Sequence, residues 1–352
     1  MLVALGCAAC GATRSSSTTT ASRSASRAAG SVTRASGATS TSPQATTQGD
    51  GSTTSAAASP SLPGAGRPPV ALGDKNYTEQ FLLGQLYAQA LEAEGYTVTV
   101  NQNIGPISVT MQALKDSSLM AYPEYLSTFD TQIAGYRHGF RSASAAYEAG
   151  LRWAGRNGLV LLTPTPFSDT QGIAVTDAYA AANGLRTILD LRRVAPAMTI
   201  GGPAQFAADP PGLQQITTAY GVTPAAFKPL AIGDQYAALD DGTVQAADVN
   251  TTDGQLASGD YVVLRDPARV FGFGNVVPVV SAAALAAEGP AFADTISRVD
   301  ATLTTGVMRE LNQLVDVAQE PPATVARQFL QTHGLLTPLS AGALAVAVTP
   351  VP

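Results

Sequence analysis

The chain has 352 residues, 26 acidic and 20 basic side chains, a net charge of −6, and 45% hydrophobic residues. Beyond its amino-terminal tract this is enough chain for one large or two medium domains, and the acidic balance argues against nucleic-acid binding. Both cysteines, Cys7 and Cys10, lie among the first ten residues, so the remainder has no disulfide, thiol nucleophile or cysteine metal ligand.

Met1 to Cys10 is an apolar scrap of small residues, too short for a complete signal peptide and without a basic leading region. It looks like the remnant of a bacterial lipoprotein signal, with Cys7 or Cys10 as the lipidated residue and the true start upstream. Residues 11–68 are Ser, Thr, Ala and Gly with almost no large apolar side chain. Such a tract cannot bury enough surface to offset its ordering entropy, so it is expected to be a disordered linker. Arg14, Arg23, Arg27, Arg34 and Arg67 against Asp50 give it a net +4, which leaves −10 for residues 69–352 out of the total of −6. A tether between a lipid anchor and an acidic body explains that split.

The body alternates short apolar runs with helix-like segments, the α/β signature. Val70 to Leu72 predicts a buried strand. Asn76 followed by Glu79 has capping-box spacing before a helical run from Phe81 to Ala93. Tyr96 to Val100 and Ser118 to Tyr122 read as strands around a helix at Val109 to Lys115. A helix at Ala143 to Arg156 and strands at Leu159 to Leu162 and Gly172 to Thr176 follow. A second series has strands at Met198 to Gly201, Lys228 to Ile232, Ala246 to Asn250 and Tyr261 to Leu264, with helices at Leu213 to Tyr220 and Gln235 to Leu239. Val276 to Val280 resumes with a strand, and helices at Phe292 to Val317 and Ala323 to Thr332 close the series. The tail, residues 341–352, is too short to span a membrane.

Two α/β blocks, crossed between twice, predict a two-lobed clamshell with ligand in the cleft. Lobe 1 is expected at residues 69–170 plus 275–340 and lobe 2 at 171–274, with crossings at Ser168 to Gly172 and Gly272 to Asn275. Lys75 sits at the carboxyl end of a strand, just before a helix N-terminus, a place suited to an anionic ligand group. The plain alternative is a surface lysine in an ordinary strand–helix turn.

Lys75-Asn76-Tyr77-Thr78-Glu79-Gln80 with Gly84 to Glu92 resembles the opening of substrate-binding proteins of osmoprotectant ABC transporters, which capture glycine betaine, choline or carnitine. Tyr122-Pro123-Glu124-Tyr125 with Thr128, Thr251-Thr252-Asp253-Gly254, and Asn275 to Val280 resemble that family's later motifs, in order, between about Val70 and Leu336. The resemblance implies the type II periplasmic-binding-protein form of the clamshell. It implies an extracytoplasmic, lipid-anchored monomer that hands a small solute to a membrane permease served by an ATPase, with no cofactor, metal or nucleic acid. It also implies a box of tyrosines around the quaternary ammonium, and a lysine, an arginine and a threonine on the carboxylate. Lys75, Tyr125 and Thr128 keep three of those places.

Gln171, Asn250 and Gly274 stand where the family has tyrosines, and no arginine follows Phe206. Three lost ring faces, at about 0.5–2 kcal/mol each, weaken binding roughly tenfold to more than ten-thousandfold. The expected ligand set is therefore Lys75, Asn76, Tyr125, Thr128, Gln171, Asn250, Thr251 and Gly274. The expected ligand is glycine betaine or a related quaternary ammonium. A polar solute held by hydrogen bonds, with Gln171 and Asn250 in place of rings, is the alternative. Phe271 or Phe273 is a candidate substitute ring, Asp253 reads as a cap of the following turn, and Trp153 reads as packing. A ligand-sensing receptor lobe is a further alternative. An enzyme is disfavoured, because His138 and His333 have no metal-ligand spacing and there is no nucleophile elbow or phosphate loop.

Overall fold

The computed structural model describes residues 61–338. The expected signal remnant, most of the linker and the 341–352 tail lie outside the described residues. Two five-stranded sheets carry the fold. The first contains β1 (Val70–Gly73), β2 (Val98–Asn101), β3 (Ala121–Tyr125), β4 (Leu159–Leu161) and, from late in the chain, β10 (Val276–Ser281). The second contains β5 (Gln171–Thr176), β6 (Thr199–Gly202), β7 (Ala226–Pro229), β8 (Ala246–Asn250) and β9 (Tyr261–Leu264).

Their orders are β2-β1-β3-β10-β4 and β7-β6-β8-β5-β9. Each sheet has three parallel strands, followed by the strand that has just crossed from the other lobe and runs antiparallel to both neighbours. All six positions of β10 are buried, as a central strand covered on both faces requires. Val276 and Val280 face one apolar cluster with Leu82, Leu86, Phe292 and Leu330, and Val277 and Val279 face another with Leu119, Phe129 and Leu159. In the second sheet Ile173, Ile200 and Phe206 lie on one side, Ala174, Val249 and Tyr236 on the other. Trp153 packs edge-on against Phe129.

Four local expectations are corrected. Residues 61–68, expected to be disordered, form a turn against the body, where the Gly64 N–H donates to the Glu94 carbonyl at 2.8 Å and Arg67 to that of Ala287 at 2.9 Å. The turn closes on itself through the Ala65 N–H to the Leu62 carbonyl at 3.0 Å and the Arg67 N–H to the Gly64 carbonyl at 3.1 Å. Gly64 sits so close to Tyr96 that a Cβ would fall 2.4 Å from its nitrogen. β3 starts at Ala121 because Ser118 is held in a turn by Asp116, through its N–H at 3.1 Å and its hydroxyl at 2.6 Å. β7 ends at Pro229, and Ile232 stands 86% exposed beyond it. There the chain turns at Gly233, whose φ of 101° suits glycine. The expected run Phe292 to Val317 is two helices, Pro290–Asp300 and Thr305–Asp316. Leu303 plugs the core between them and the Thr304 hydroxyl caps the second by accepting from the Val307 N–H.

The crossings brace one another. Ser168 and Asn275 pair as an antiparallel bridge, and Asn275 Nδ2 donates to the carbonyls of Thr165 and Phe167.

Candidate functional site

The carboxyl ends of β1, β3 and β8 converge on the space between the sheets, the usual ligand position in open α/β sheets. β1 runs into Asp74, Lys75 and then helix α1 (Thr78–Ala93). Tyr77, not Asn76, takes the N-cap place, and no side chain caps the helix. The capping box fails because Glu79 is turned inward. Its Oε1 accepts from Tyr125 Oη at 2.7 Å and its Oε2 from Asn312 Nδ2 at 3.0 Å. Asn312, on the helix Thr305–Asp316, also donates to the Thr252 carbonyl at 2.9 Å. Tyr125, Glu79, Asn312 and Thr252 thus form one network from the first lobe to the turn after β8. Arg309, one helical turn earlier, donates to the Thr251 carbonyl at 2.8 Å.

Two chambers adjoin at Tyr77. The first, about 570 Å³, is lined by Lys75, Tyr77, Ile107, Glu124, Tyr125 and Thr128 among others. Lys75 Nζ lies 3.3 Å from Glu124 Oε2 and 5.4 Å from the centre of the Tyr122 ring. Burial pushes the Glu124 carboxyl up, against the lowering pull of Lys75 and of bonds from the Tyr125 N–H and Tyr122 hydroxyl. The rings of Tyr77 and Tyr125 stack at 6.0 Å and 28°. Tyr77 is 41% exposed and Tyr125 is 7% exposed, so Tyr77 offers the accessible ring face.

The second chamber, about 360 Å³, is lined from the first lobe by Tyr77, Thr78, Glu79, Asn312 and Asp316. From the crossing and the second lobe come Asp169, Tyr236, Asn250, Thr252 and Asp253, with others. Among the described residues it has four carboxylates and no basic side chain in its lining. Burial raises Glu79, and burial followed by the charge of Glu79 raises Asp169 well above the ordinary carboxylate value. Asp253 is raised by burial, although its Oδ2 accepts from Tyr236 Oη at 2.8 Å and the Asn250 N–H at 3.1 Å. Those bonds run backward along the chain, so Asp253 does not cap the following turn as expected. Among the described residues no group of three or more His, Cys, Asp or Glu side chains is placed to hold a metal ion.

The expected ligand set is divided by the fold. Lys75, Tyr125 and Thr128 share the first chamber and Asn250 lines the second. Asn76, Gln171, Thr251 and Gly274 line neither. Gln171 Nε2 donates to buried Asp248 at 3.4 Å. The Thr251 hydroxyl donates to the Ser168 carbonyl at 2.9 Å and accepts from the Thr170 N–H at 3.0 Å. Gly274 is a strut of the crossing, where an added Cβ would fall 1.6 Å from the Asp169 carbonyl oxygen. A tyrosine has no room there. Neither Phe271 nor Phe273 replaces the lost rings in these chambers: Phe271 lies in a second-lobe core with Phe206, and Phe273 packs against the first-lobe core. Sequence reading missed Tyr77, Glu79, Asp169 and Asn312. Tyr77 and Glu79 stand inside the Lys75-to-Gln80 motif and Asp169 inside the first expected crossing, Ser168 to Gly172, whereas nothing local marks Asn312.

The family described as "Substrate binding domain of ABC-type glycine betaine transport system" matches residues 68–332. The chain is 31% identical over 284 residues to the Glycine-betaine-binding protein of Pseudomonas aeruginosa, covering 77% of this chain and 90% of that protein. It is 28% identical over 293 residues to the Glycine betaine-binding protein YehZ of Escherichia coli, covering 79% and 94%. A crystal structure titled as a glycine betaine/carnitine/choline ABC transporter superposes with a TM-score of 0.72 at 22% identity, over 76% of this chain and 99% of that one. At that identity the likeness is one of fold, the α/β two-lobed form of type II periplasmic binding proteins.

Proposed function

Because the chain belongs to the substrate-binding domains of ABC-type glycine betaine transport systems, we propose that it captures a small betaine-type solute outside the membrane and delivers it to a permease by lobe closure. The family is a transporter substrate-binding family and not an enzyme class. The observation that carries the reading is the junction of the two chambers. Lys75 and Thr128 supply donors for an anionic end, and the stacked Tyr77–Tyr125 pair supplies a ring face for a cation. The helix Thr305–Asp316 joins this wall to the turn after β8, so a ligand between them touches both lobes. The finer arrangement has a lipid anchor on Cys7 or Cys10, a linker reaching the membrane surface, a monomeric body, and a permease coupled to an ATPase.

A second reading, a solute held more by hydrogen bonds than by rings, is supported by Asn250, which lines the second chamber where the resemblance implies a tyrosine. Calorimetric titration of the full chain with glycine betaine, choline, carnitine and a non-quaternary polar solute tests both. Saturable one-site binding to one of them is expected, weakened about twofold to thirtyfold by Tyr77→Ala, the worth of one ring face at about 0.5–2 kcal/mol. Thr128→Val should weaken only ligands with an anionic end. Silence from the whole panel contradicts the proposal.

A further inference from the structure

We infer that the second chamber receives a cationic group bearing N–H donors, a primary ammonium or a guanidinium, in place of a trimethylammonium. The inference rests on the solute-binding reading above and sharpens its second form. Asn312 is only 4% exposed, yet its Oδ1 has no hydrogen-bond partner among the described residues. Its Nδ2 donates to two acceptors, Glu79 Oε2 and the Thr252 carbonyl, which fixes the amide with its oxygen as the unused atom. The buried Oδ1 of Asp169, in the same lining, is likewise unpartnered among the described residues.

Several of the donors nearby are already committed to carboxylates. Tyr125 and Asn312 donate to Glu79, Tyr236 and the Asn250 N–H donate to Asp253, and Thr78 donates to Asp316. The lining also holds the amides of Gln235, Asn250 and Gln255, but four of its side chains are carboxyl groups, none among the described residues is basic, and the buried oxygens left over on Asn312 and Asp169 are acceptors.

An unpaired buried acceptor is unfavourable, and the penalty is removed only by a donor. A trimethylammonium presents methyl groups and leaves both oxygens unpaired. A primary ammonium has three N–H donors and a mono-substituted guanidinium a planar fork of five. The charge balance points the same way. Burial and mutual repulsion hold Glu79, Asp169 and Asp253 above ordinary carboxylate values, so the chamber is short of a compensating cation. Arg309 acts on Asp253 electrostatically, but its Nε bonds the Thr251 carbonyl and it does not line the space.

The test uses three probes with the same carboxylate and chain length: 4-aminobutyrate, 4-guanidinobutyrate and 4-trimethylammoniobutyrate. Each is titrated into the full chain by calorimetry at neutral pH, with glycine betaine, choline and carnitine alongside. At least one N–H probe is expected to bind tenfold or more tighter than the trimethylated probe. Asp169→Asn, with its fold checked by thermal melting, is expected to remove at least tenfold from that N–H probe and less from the trimethylated one. Asn312→Asp, which keeps Oδ1, serves as a second variant and should retain the preference for N–H probes; a folded Asn312→Asp that loses it overturns the inference. Equal or tighter binding of the trimethylated probe overturns the inference, as does an Asp169→Asn variant that binds the N–H probe unchanged. Binding of none of the three also overturns it. In that case a response to glycine betaine, choline or carnitine leaves the solute-binding reading standing, and silence from all six removes both.

Discussion

Lys75 and Glu124 show how one contact serves both binding and stability. The Lys75 side chain is 18% exposed and that of Glu124 is 2% exposed, so the lysine reaches solvent while the carboxylate depends on it. Lys75→Ala therefore leaves a buried charge without its partner, which costs about 3 kcal/mol where a buried pair is broken from one side. The deficit should shrink on acidification, because burial already favours the protonated form of Glu124, and Lys75→Ala combined with Glu124→Gln should recover most of the stability. Urea denaturation at pH 5 and pH 8 measures this, and a deficit independent of pH would contradict it. Lys75, Tyr125 and Thr128 were legible because each sits in a local motif at a strand end. Tyr77 was hidden because its position reads as a turn residue until the stacking on Tyr125 is seen. Asn312 was illegible, since it reaches Glu79 across 233 positions of chain.

At the level of elements, the crossing segments are the most constrained part of the fold. Gly274 N–H donates to the Ser168 hydroxyl at 3.0 Å and its carbonyl accepts from the Asp169 N–H at 2.9 Å. With no room for a Cβ, Gly274→Ala must spread the two crossings apart. It should destabilise the protein by about 1–3 kcal/mol, the range for overpacking a tight site, and disturb ligand binding through Asp169. Gly254 is a matching case, where a Cβ would meet the Gln313 backbone at 2.5 Å. Thermal melting of the two alanine variants checks both, and unchanged melting temperatures would refute the packing argument. Strands such as Ala246 to Asn250 and Tyr261 to Leu264 were legible to the residue because apolar runs end at polar or turn residues. The break at 301–304 was not, because a buried Leu303 continues the apolar pattern while the backbone changes direction.

Over the whole molecule, buried carboxyls set the response to pH. Burial raises Asp74 to about 6 and Asp130 and Asp248 to about 7, against 3.8 for an ordinary Asp. A raised carboxyl holds its proton longer in the folded state. Its contribution is lost as pH rises from the unfolded value through the folded one, so stability should fall between about pH 4 and pH 7. Asp130→Asn should reduce that fall, read as the difference in urea midpoint between pH 5 and pH 8; a midpoint that rises with pH would contradict the account. Hydrogen exchange of the full chain, with and without the solute selected by titration, tests whether solute is held between two lobes that close on it. Amides near Tyr77 to Glu79 and Asn312 to Asp316 in the first lobe, and near Gln235 to Tyr236 and Asn250 to Asp253 in the second, should gain protection together. Protection confined to one lobe would mean that the solute rests on a surface and that the cleft is not its site.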